Sequence, residues 1–173
     1  MIEKKYSIQI NNKIVEFTKG ETILEVAKNN GVYIPTLCYI EDLPPYGGCR
    51  LCIVKVDGMN GYPTACTTPA IDGMKIITND DEIQELRREI LKLLLSEHPY
   101  SCIVCDKKDD CEKIRKGVSK FGRMFGCFSC ANKDNCELRR LAEYLEISDL
   151  QYPMEYHNFP IKIYFLIKFF HLN

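Results

Sequence analysis

The sequence lacks several features that would place it in a large class of proteins at once. It has almost no excess charge, since 23 lysine and arginine residues stand against 24 aspartate and glutamate residues. The formal net charge of −1 gives no indication of a nucleic-acid-binding surface. No apolar run reaches the ~18 residues that a membrane-spanning helix needs. We therefore expect neither a nucleic-acid binder nor a protein with a membrane span of its own.

The usual signals of export and of self-contained catalysis are also missing. Residues 1–7 lead into no apolar segment of the kind found in secretory signal peptides, so a cytoplasmic protein is the default expectation. There is no glycine-rich dinucleotide motif after a predicted strand, no P-loop, and no nucleophile with a convincing base. A self-contained enzyme with its own substrate site is therefore poorly supported.

What the chain does have is ten cysteines in 173 residues. In a cytoplasmic protein, clustered cysteines are more often ligands of metals or clusters than disulfides. Four of them follow the pattern C-x10-C-x2-C-x13-C, namely Cys38, Cys49, Cys52 and Cys66. Gly47 and Gly48 precede the second cysteine, and glycine allows backbone N–H groups to approach and face an anion. Four thiolates around a tight C-x2-C loop are the ligand set of a 2Fe–2S cluster.

This cysteine segment resembles the N-terminal 2Fe–2S domain of the large iron–sulfur subunit family of NADH-quinone oxidoreductase (complex I). Iron-only hydrogenases and NAD-linked formate dehydrogenases carry a similar domain. The flanking sequence predicts a hairpin over residues 6–17, a helix opened by the capping box of Thr22 and Glu25, and strands at 51–56 and 75–77. The resemblance spans roughly residues 5 to 78. It implies an α+β protein whose residues 1–78 form a β-grasp, ferredoxin-like domain.

A helix is predicted next, because residues 78–81 are a helix-start signal and apolar residues then recur at helical spacing through residue 96. The predicted apolar stripe consists of Ile83, Leu86, Ile90, Leu93 and Leu94. Arg87 and Arg88 lie off that stripe. We expect the helix to dock on the ferredoxin-like domain and to carry the segment that follows.

A second ligand pattern, H-x3-C-x2-C-x5-C, follows the helix and consists of His98, Cys102, Cys105 and Cys111. The helix should end at His98, because a residue before proline is disfavoured in the α region. The resemblance implies that these four residues hold a 4Fe–4S cluster in a small irregular domain over residues 79–119. A neutral imidazole makes the cluster less anionic than a fourth thiolate would, and histidine ligation raises the potential of Rieske centres in the same way.

A third set of cysteines repeats this spacing 25 residues later, as Cys127, Cys130 and Cys136. Arg123 takes the place of His98 and cannot be a ligand, so the triplet lacks a fourth ligand. It is expected to hold Zn²⁺ with His157 or a partner residue, to hold a further cluster, or to bind nothing. The family's helix after the third cysteine follows Cys136 here, which leaves open whether Cys111 or Cys136 closes the 4Fe–4S site. The spacing favours Cys111.

The end of the chain departs from the resemblance. Residues 120–160 contain the cysteine triplet and a segment like the family's linker, whereas residues 161–173 are apolar with two lysines. Thirteen residues are too few to span a bilayer. We expect a truncated or frame-shifted gene product, with a segment lying at a membrane interface as the alternative.

The resemblance implies an electron-transfer subunit or fragment of an NADH dehydrogenase, formate dehydrogenase or hydrogenase complex. It would relay single electrons between a flavoprotein, NADH-oxidising subunit and a catalytic oxidoreductase subunit, in the cytoplasm or peripheral to a membrane through its complex. The alternative is a zinc-binding structural or regulatory protein with no redox role. Zinc sites favour paired C-x2-C knuckles. A single C-x2-C, Cys49 to Cys52, with isolated partners in a glycine-rich loop favours a cluster instead.

Overall fold

A four-stranded mixed sheet and three helices make up the residues that the computed structural model describes, 6–96 and 135–147. In chain order the elements are β1 (Tyr6–Ile10), β2 (Lys13–Phe17), α1 (Ile23–Asn29), β3 (Lys55–Val56), β4 (Lys75–Ile77), α2 (Asp81–Ser96) and α3 (Glu137–Tyr144). This small mixed sheet with few helices confirms the predicted α+β class. Among the described residues, no helix is both long and apolar enough to cross a membrane.

The hairpin predicted over residues 6–17 is confirmed. Strands β1 and β2 pair antiparallel with Ile8 opposite Val15, and Asn11 makes the turn with a φ of 53°. Alternating side chains of the hairpin point to opposite faces. Ile8 and Val15 are buried in the core, whereas the side chain of Ile14 is 78% exposed.

We expect the Ile8→Ala variant to lose about 2–4 kcal/mol of the free energy of unfolding, because it leaves a cavity in a closed core. Ile14→Ala removes the same atoms from the neighbouring strand, but its side chain is exposed. That control should lose less than about 1 kcal/mol, mainly through strand propensity. Denaturant unfolding of the two variants measures the difference, and equal losses would contradict the burial assigned to Ile8.

The sheet closes between parts of the chain that are far apart in sequence. Its strand order is β2-β1-β4-β3, with β4 parallel to β1 and antiparallel to β3. The backbone N–H of Thr78 donates to the Asn11 side chain at 2.9 Å, and Asn11 Nδ2 donates to Thr78 Oγ1 at 3.0 Å. The hairpin turn is therefore fastened to the end of β4.

The predicted strand over residues 51–56 is too long, because only Lys55–Val56 forms a strand and Ile53 makes an isolated bridge to Thr64. Arg50 has a φ of 58°, which breaks the extended geometry that a strand needs. The backbone before residue 55 turns at residues 51–52 and pairs only locally, since the N–H of Val54 donates to the carbonyl of Pro63 and the carbonyl of Cys52 accepts from the N–H of Ala65.

Helix α1 begins as predicted. Thr22 is the N-cap, its hydroxyl accepts from the Glu25 N–H at 3.3 Å, and the Glu25 carboxylate accepts from the Thr22 N–H at 2.7 Å. The capping box fixes the start of a helix whose Ile23 and Val26 are fully buried beneath the sheet residues of the main core.

Helix α2 forms at the predicted place, but its buried face differs from the predicted stripe. The buried residues are Ile83, Arg87, Leu91, Lys92 and Leu95. The side chain of Leu93, which the pattern places on the apolar stripe, is 53% exposed, whereas Arg87 is fully buried. The prediction for these two residues was wrong, because the hydrophobic pattern treats arginine as a surface residue.

Helices α2 and α3 enclose a second core next to the cysteine loop. Leu91 and Leu95 of α2 pack with Leu141 of α3 and with Leu51 of the loop. Arg88 Nε donates to the carbonyl of Leu145 at 3.0 Å, just beyond the end of α3. The expectation that α2 docks on the first domain is confirmed by these contacts.

Candidate metal centre

The fold brings the four N-terminal cysteines together as two pairs. The N–H of Cys49 donates to the Cys38 sulfur at 3.4 Å, and the sulfurs of Cys52 and Cys66 lie 3.3 Å apart. Cys49, Cys52 and Cys66 are buried and Cys38 is half-buried, and all four are free thiols. Cysteines up to 28 positions apart in sequence thus lie together at one largely buried site.

The two pairs belong to different cores. Cys52 and Cys66 pack in the main core between the sheet and α1, whereas Cys49 and Cys38 pack in the second core with α2 and α3. The site therefore lies at the junction of the two packing units. A shift of either unit would change the separation of the sulfur pairs.

Backbone N–H groups of the glycine loop surround the Cys38 sulfur. Burial raises the pKa of the Cys38 thiol, but hydrogen bonds from the N–H groups of Cys49, Gly48 and Gly47 outweigh it and bring the pKa below its ordinary value. Gly47 has a φ of 68°, a conformation that side chains other than glycine rarely adopt. The prediction that these glycine N–H groups face an anion agrees with this geometry.

We expect Gly47→Ala to destabilise the site by about 1–2 kcal/mol, since alanine is strained at this φ. The added Cβ would also lie 3.0 Å from Thr67 Cγ2. Gly58→Ala is a matched control, because Gly58 has a φ of 78° but open space around it. Both variants carry the strain of a positive φ, and only Gly47→Ala adds the contact with Thr67. The visible absorbance of the bound cluster should therefore be lost at a lower temperature in Gly47→Ala than in Gly58→Ala. Equal bleaching temperatures would show that the contact with Thr67 is unimportant.

Cys49 and Cys66 resist ionisation. Burial raises the pKa of the Cys49 thiol, and the N–H groups of Leu51 and Leu37 offset this only in part. Burial, and then the hydrogen bond and charge of neighbouring Cys52, raise the pKa of Cys66 to about 12. Four thiolates this close to one another need bound cations to balance their charge. The donor set and its burial therefore fit a group that contains iron ions.

Arg87 is a site residue that the sequence interpretation missed. Its Nε donates to the carbonyl of Leu51 at 2.9 Å and its Nη2 donates to the carbonyl of Ile53 at 2.8 Å. These carbonyls belong to the residues on either side of Cys52. The only sequence signal was position, because Arg87 lies four residues from both Ile83 and Leu91 and so shares their face of the helix.

The remaining predicted ligands are described only in part. His98, Cys102, Cys105, Cys111, Cys127, Cys130 and His157 lie outside the described residues. Cys136 is described: it is half-buried and is the N-cap of α3, where its side chain makes no capping hydrogen bond. Across residues 6–96 and 135–147, no three His, Cys, Asp or Glu side chains are grouped around a place for one ion.

The loop between Cys38 and Cys49 exposes three large apolar side chains. Ile40, Leu43 and Tyr46 are exposed, with relative accessibilities of 61%, 57% and 83%. Large side chains rarely stay this accessible in one short segment unless the surface has a use. These exposed apolar side chains thus belong to the loop that joins Cys38 to Cys49.

Two protein families match the chain in consecutive ranges. Residues 3–81 match the family described as "2Fe-2S iron-sulfur cluster binding domain". Residues 87–112 match the family described as "NADH-ubiquinone oxidoreductase-G iron-sulfur binding region". The second range contains His98, Cys102, Cys105 and Cys111 and stops well before Cys136.

Similar proteins are components of oxidoreductases. An NADH-quinone oxidoreductase subunit of Rhizobium meliloti is 41% identical over 105 residues, which cover 61% of this chain and 12% of that protein. The alpha subunit of the NADPH-Fe(3+) oxidoreductase of Geobacter sulfurreducens is 39% identical over 106 residues, covering 61% and 13%. The gamma subunit of the NAD-reducing hydrogenase HoxS of Cupriavidus necator is 39% identical over 105 residues, covering 61% and 44%. The matched segment thus spans less than half of each relative.

A solved structure shows the same fold. The crystal structure of an NAD+-reducing NiFe hydrogenase in the H2-reduced state matches with a TM-score of 0.65 and 24% sequence identity. The match covers 87% of this chain and 53% of that one.

Proposed function

We propose that the chain relays single electrons within a larger oxidoreductase. The premise is that residues 3–81 and 87–112 are similar to the large iron–sulfur subunit family of NADH-quinone oxidoreductase. One observation carries the proposal: three buried cysteines and the half-buried Cys38 lie together beside a loop whose N–H groups face the Cys38 sulfur. Iron–sulfur clusters held by four cysteine thiolates are redox centres, which fits a role in electron transfer.

We propose that Cys38 and Cys49 bind one iron of a 2Fe–2S cluster and that Cys52 and Cys66 bind the other. The arrangement of the sulfurs in two pairs supports this assignment. The cluster, once bound, supplies a centre that accepts one electron at a time. The chain supplies the thiolates, the N–H donors that stabilise the charge of Cys38, and the main core that keeps water away from Cys52 and Cys66.

The zinc alternative needs all four sulfurs around a single ion at about 2.3 Å each. Two pairs at the junction of separate cores favour a binuclear cluster over that geometry. Iron–sulfur clusters also absorb visible light, whereas Zn²⁺ does not, so the colour of the purified protein separates the two functions.

The proposal for the second cluster assigns His98, Cys102, Cys105 and Cys111 as the ligands of a 4Fe–4S cluster. Its support is the family match over residues 87–112, which includes all four and ends just after Cys111. Cys127, Cys130 and Cys136 are then left for a further site of zinc or a cluster. In domain terms, residues 1–78 form the β-grasp domain, 79–119 the helix with the 4Fe–4S site, and 120–160 the segment with the third set.

The proposed partners are a flavoprotein subunit that oxidises NADH and a catalytic oxidoreductase subunit, in a cytoplasmic or membrane-peripheral complex. The names of the relatives support this, since they are subunits of an NADH-quinone oxidoreductase and an NAD-reducing hydrogenase. The exposed apolar side chains of Ile40, Leu43 and Tyr46, in the loop that joins Cys38 to Cys49, support contact with another protein near the site.

Anaerobic purification with iron and sulfide analysis tests the proposal, together with EPR spectroscopy of the dithionite-reduced protein. We expect a brown protein whose clusters are reduced by dithionite, and by NADH only when a flavoprotein subunit is added. The flavin-free chain should not reduce dyes with NADH, because it shows no motif for binding the nucleotide or a flavin. A colourless zinc protein would reject the redox function, and steady dye reduction by NADH with the chain alone would restore the enzyme interpretation.

A further inference from the structure

Arg87 is the largest fully buried side chain of the described residues, with 0% of its surface exposed. A guanidinium stays charged in proteins. Removing such a charge from water costs free energy unless hydrogen bonds and an opposite charge offset it. Within residues 6–96 and 135–147, no carboxylate pairs with Arg87, and its Nη1 has no hydrogen-bond partner. The described residues therefore provide two carbonyl acceptors but no ion pair for its positive charge.

The two hydrogen bonds of Arg87 place that charge beside the cysteine site. Nε donates to the carbonyl of Leu51 at 2.9 Å and Nη2 donates to the carbonyl of Ile53 at 2.8 Å. These bonds fix the backbone on both sides of Cys52. Burial lowers the pKa of Arg87. Because Leu51 and Ile53 are the direct neighbours of Cys52 in the chain, the guanidinium lies beside the backbone of Cys52.

We propose that Arg87 is a positioning residue of the 2Fe–2S site, which fixes the backbone of Cys52 and whose buried positive charge favours the reduced state of the cluster. The inference rests on the proposed electron-transfer function. An oxidised 2Fe–2S cluster with four thiolates carries two negative charges, and it carries three after it takes one electron from a donor. The buried cation stabilises the more negative state more strongly, so it raises the reduction potential.

A purely structural role of Arg87 would predict a change in stability without a change in reduction potential. If Arg87 only fastened α2 to the loop, its replacement would lower the stability and leave the potential unchanged. A unit charge at about 10 Å, with an effective dielectric constant of about 20, changes an equilibrium constant by roughly tenfold. The reduction potential therefore separates the two roles.

The test compares Arg87→Met, Arg87→Lys and Arg88→Met in the full chain loaded with its clusters. The readout is an EPR-monitored redox titration of the 2Fe–2S signal. Arg87→Met removes the charge at similar length and should disfavour reduction by about tenfold, equivalent to about 59 mV for one electron. Arg87→Lys keeps the charge and should stay within about threefold of the unmodified protein.

Arg88→Met is the matched control on the same helix. The side chain of Arg88 is 34% exposed and pairs with Glu85 at 3.1 Å, and it also donates to the carbonyl of Leu145. Its charge is screened by water and by a carboxylate, so the potential should not move.

The outcomes separate this inference from the proposed function. An unchanged potential in Arg87→Met, or equal decreases in the Met and Lys variants, would overturn the electrostatic role. If Arg87→Met fails to take up a cluster, the Lys variant still decides. An equilibrium constant for reduction that is tenfold lower in Arg87→Lys contradicts the proposal, and an unchanged reduction potential supports it. Absence of any 2Fe–2S signal in the unmodified chain would reject the proposed function itself.

Discussion

The Cys52→Ser variant is expected to lose at least about nine-tenths of the 2Fe–2S EPR signal per chain. A serine hydroxyl stays protonated near neutral pH, so it is a poor ligand where a thiolate is required. Cys52 is fully buried, and no solvent reaches its position to replace the lost ligand. Because binding of the cluster is coupled to folding, the variant should also unfold at a lower temperature.

Cys136→Ser is the control for this experiment. Cys136 is at the start of α3 and is not among the four cysteines of the N-terminal site. That variant should keep the 2Fe–2S signal and its iron content at this site. A full signal in Cys52→Ser would show that the pairing of Cys52 with Cys66 is not a ligand arrangement.

The second large effect concerns the 4Fe–4S cluster. We expect Cys111→Ser to abolish its EPR signal and to reduce the iron content by about four atoms per chain, as a 4Fe–4S cluster requires. Cys136→Ser should preserve the signal, because the matched family range ends at residue 112. Spin quantification and iron analysis of both variants measure the effect. The opposite result would make Cys136 the closing ligand and would mark the residues between the two cysteines as an insertion.

The parts of the fold that sequence could predict are the parts decided by nearest neighbours along the chain. The hairpin is set by alternation around Asn11, and the start of α1 by the Thr22 and Glu25 side chains. Each of these signals is contained within a dozen residues. The cysteine pattern extends over 28 positions, but it could be interpreted without the fold, because spacing and residue type alone indicate the chemistry of the ligands.

What sequence could not predict depends on contacts across the fold. The burial of Arg87 requires the carbonyls of Leu51 and Ile53, which come 36 and 34 residues earlier in the chain. The division of the cysteines between two cores likewise arises only when α3 packs against α2 and Leu51.

The parallel pairing of β1 with β4 has a consequence for the rate of folding. The contacts that fasten these strands join residues 65 to 67 positions apart, as in Ser7 with Asp72 and Asn11 with Thr78. Closing so long a loop costs entropy before any contact repays it, and high contact order slows folding. All four cysteines of the site lie inside this loop. The docking of β4 on β1 is therefore expected to be the slow step, and a cluster bound beforehand would shorten the free loop and make that step faster.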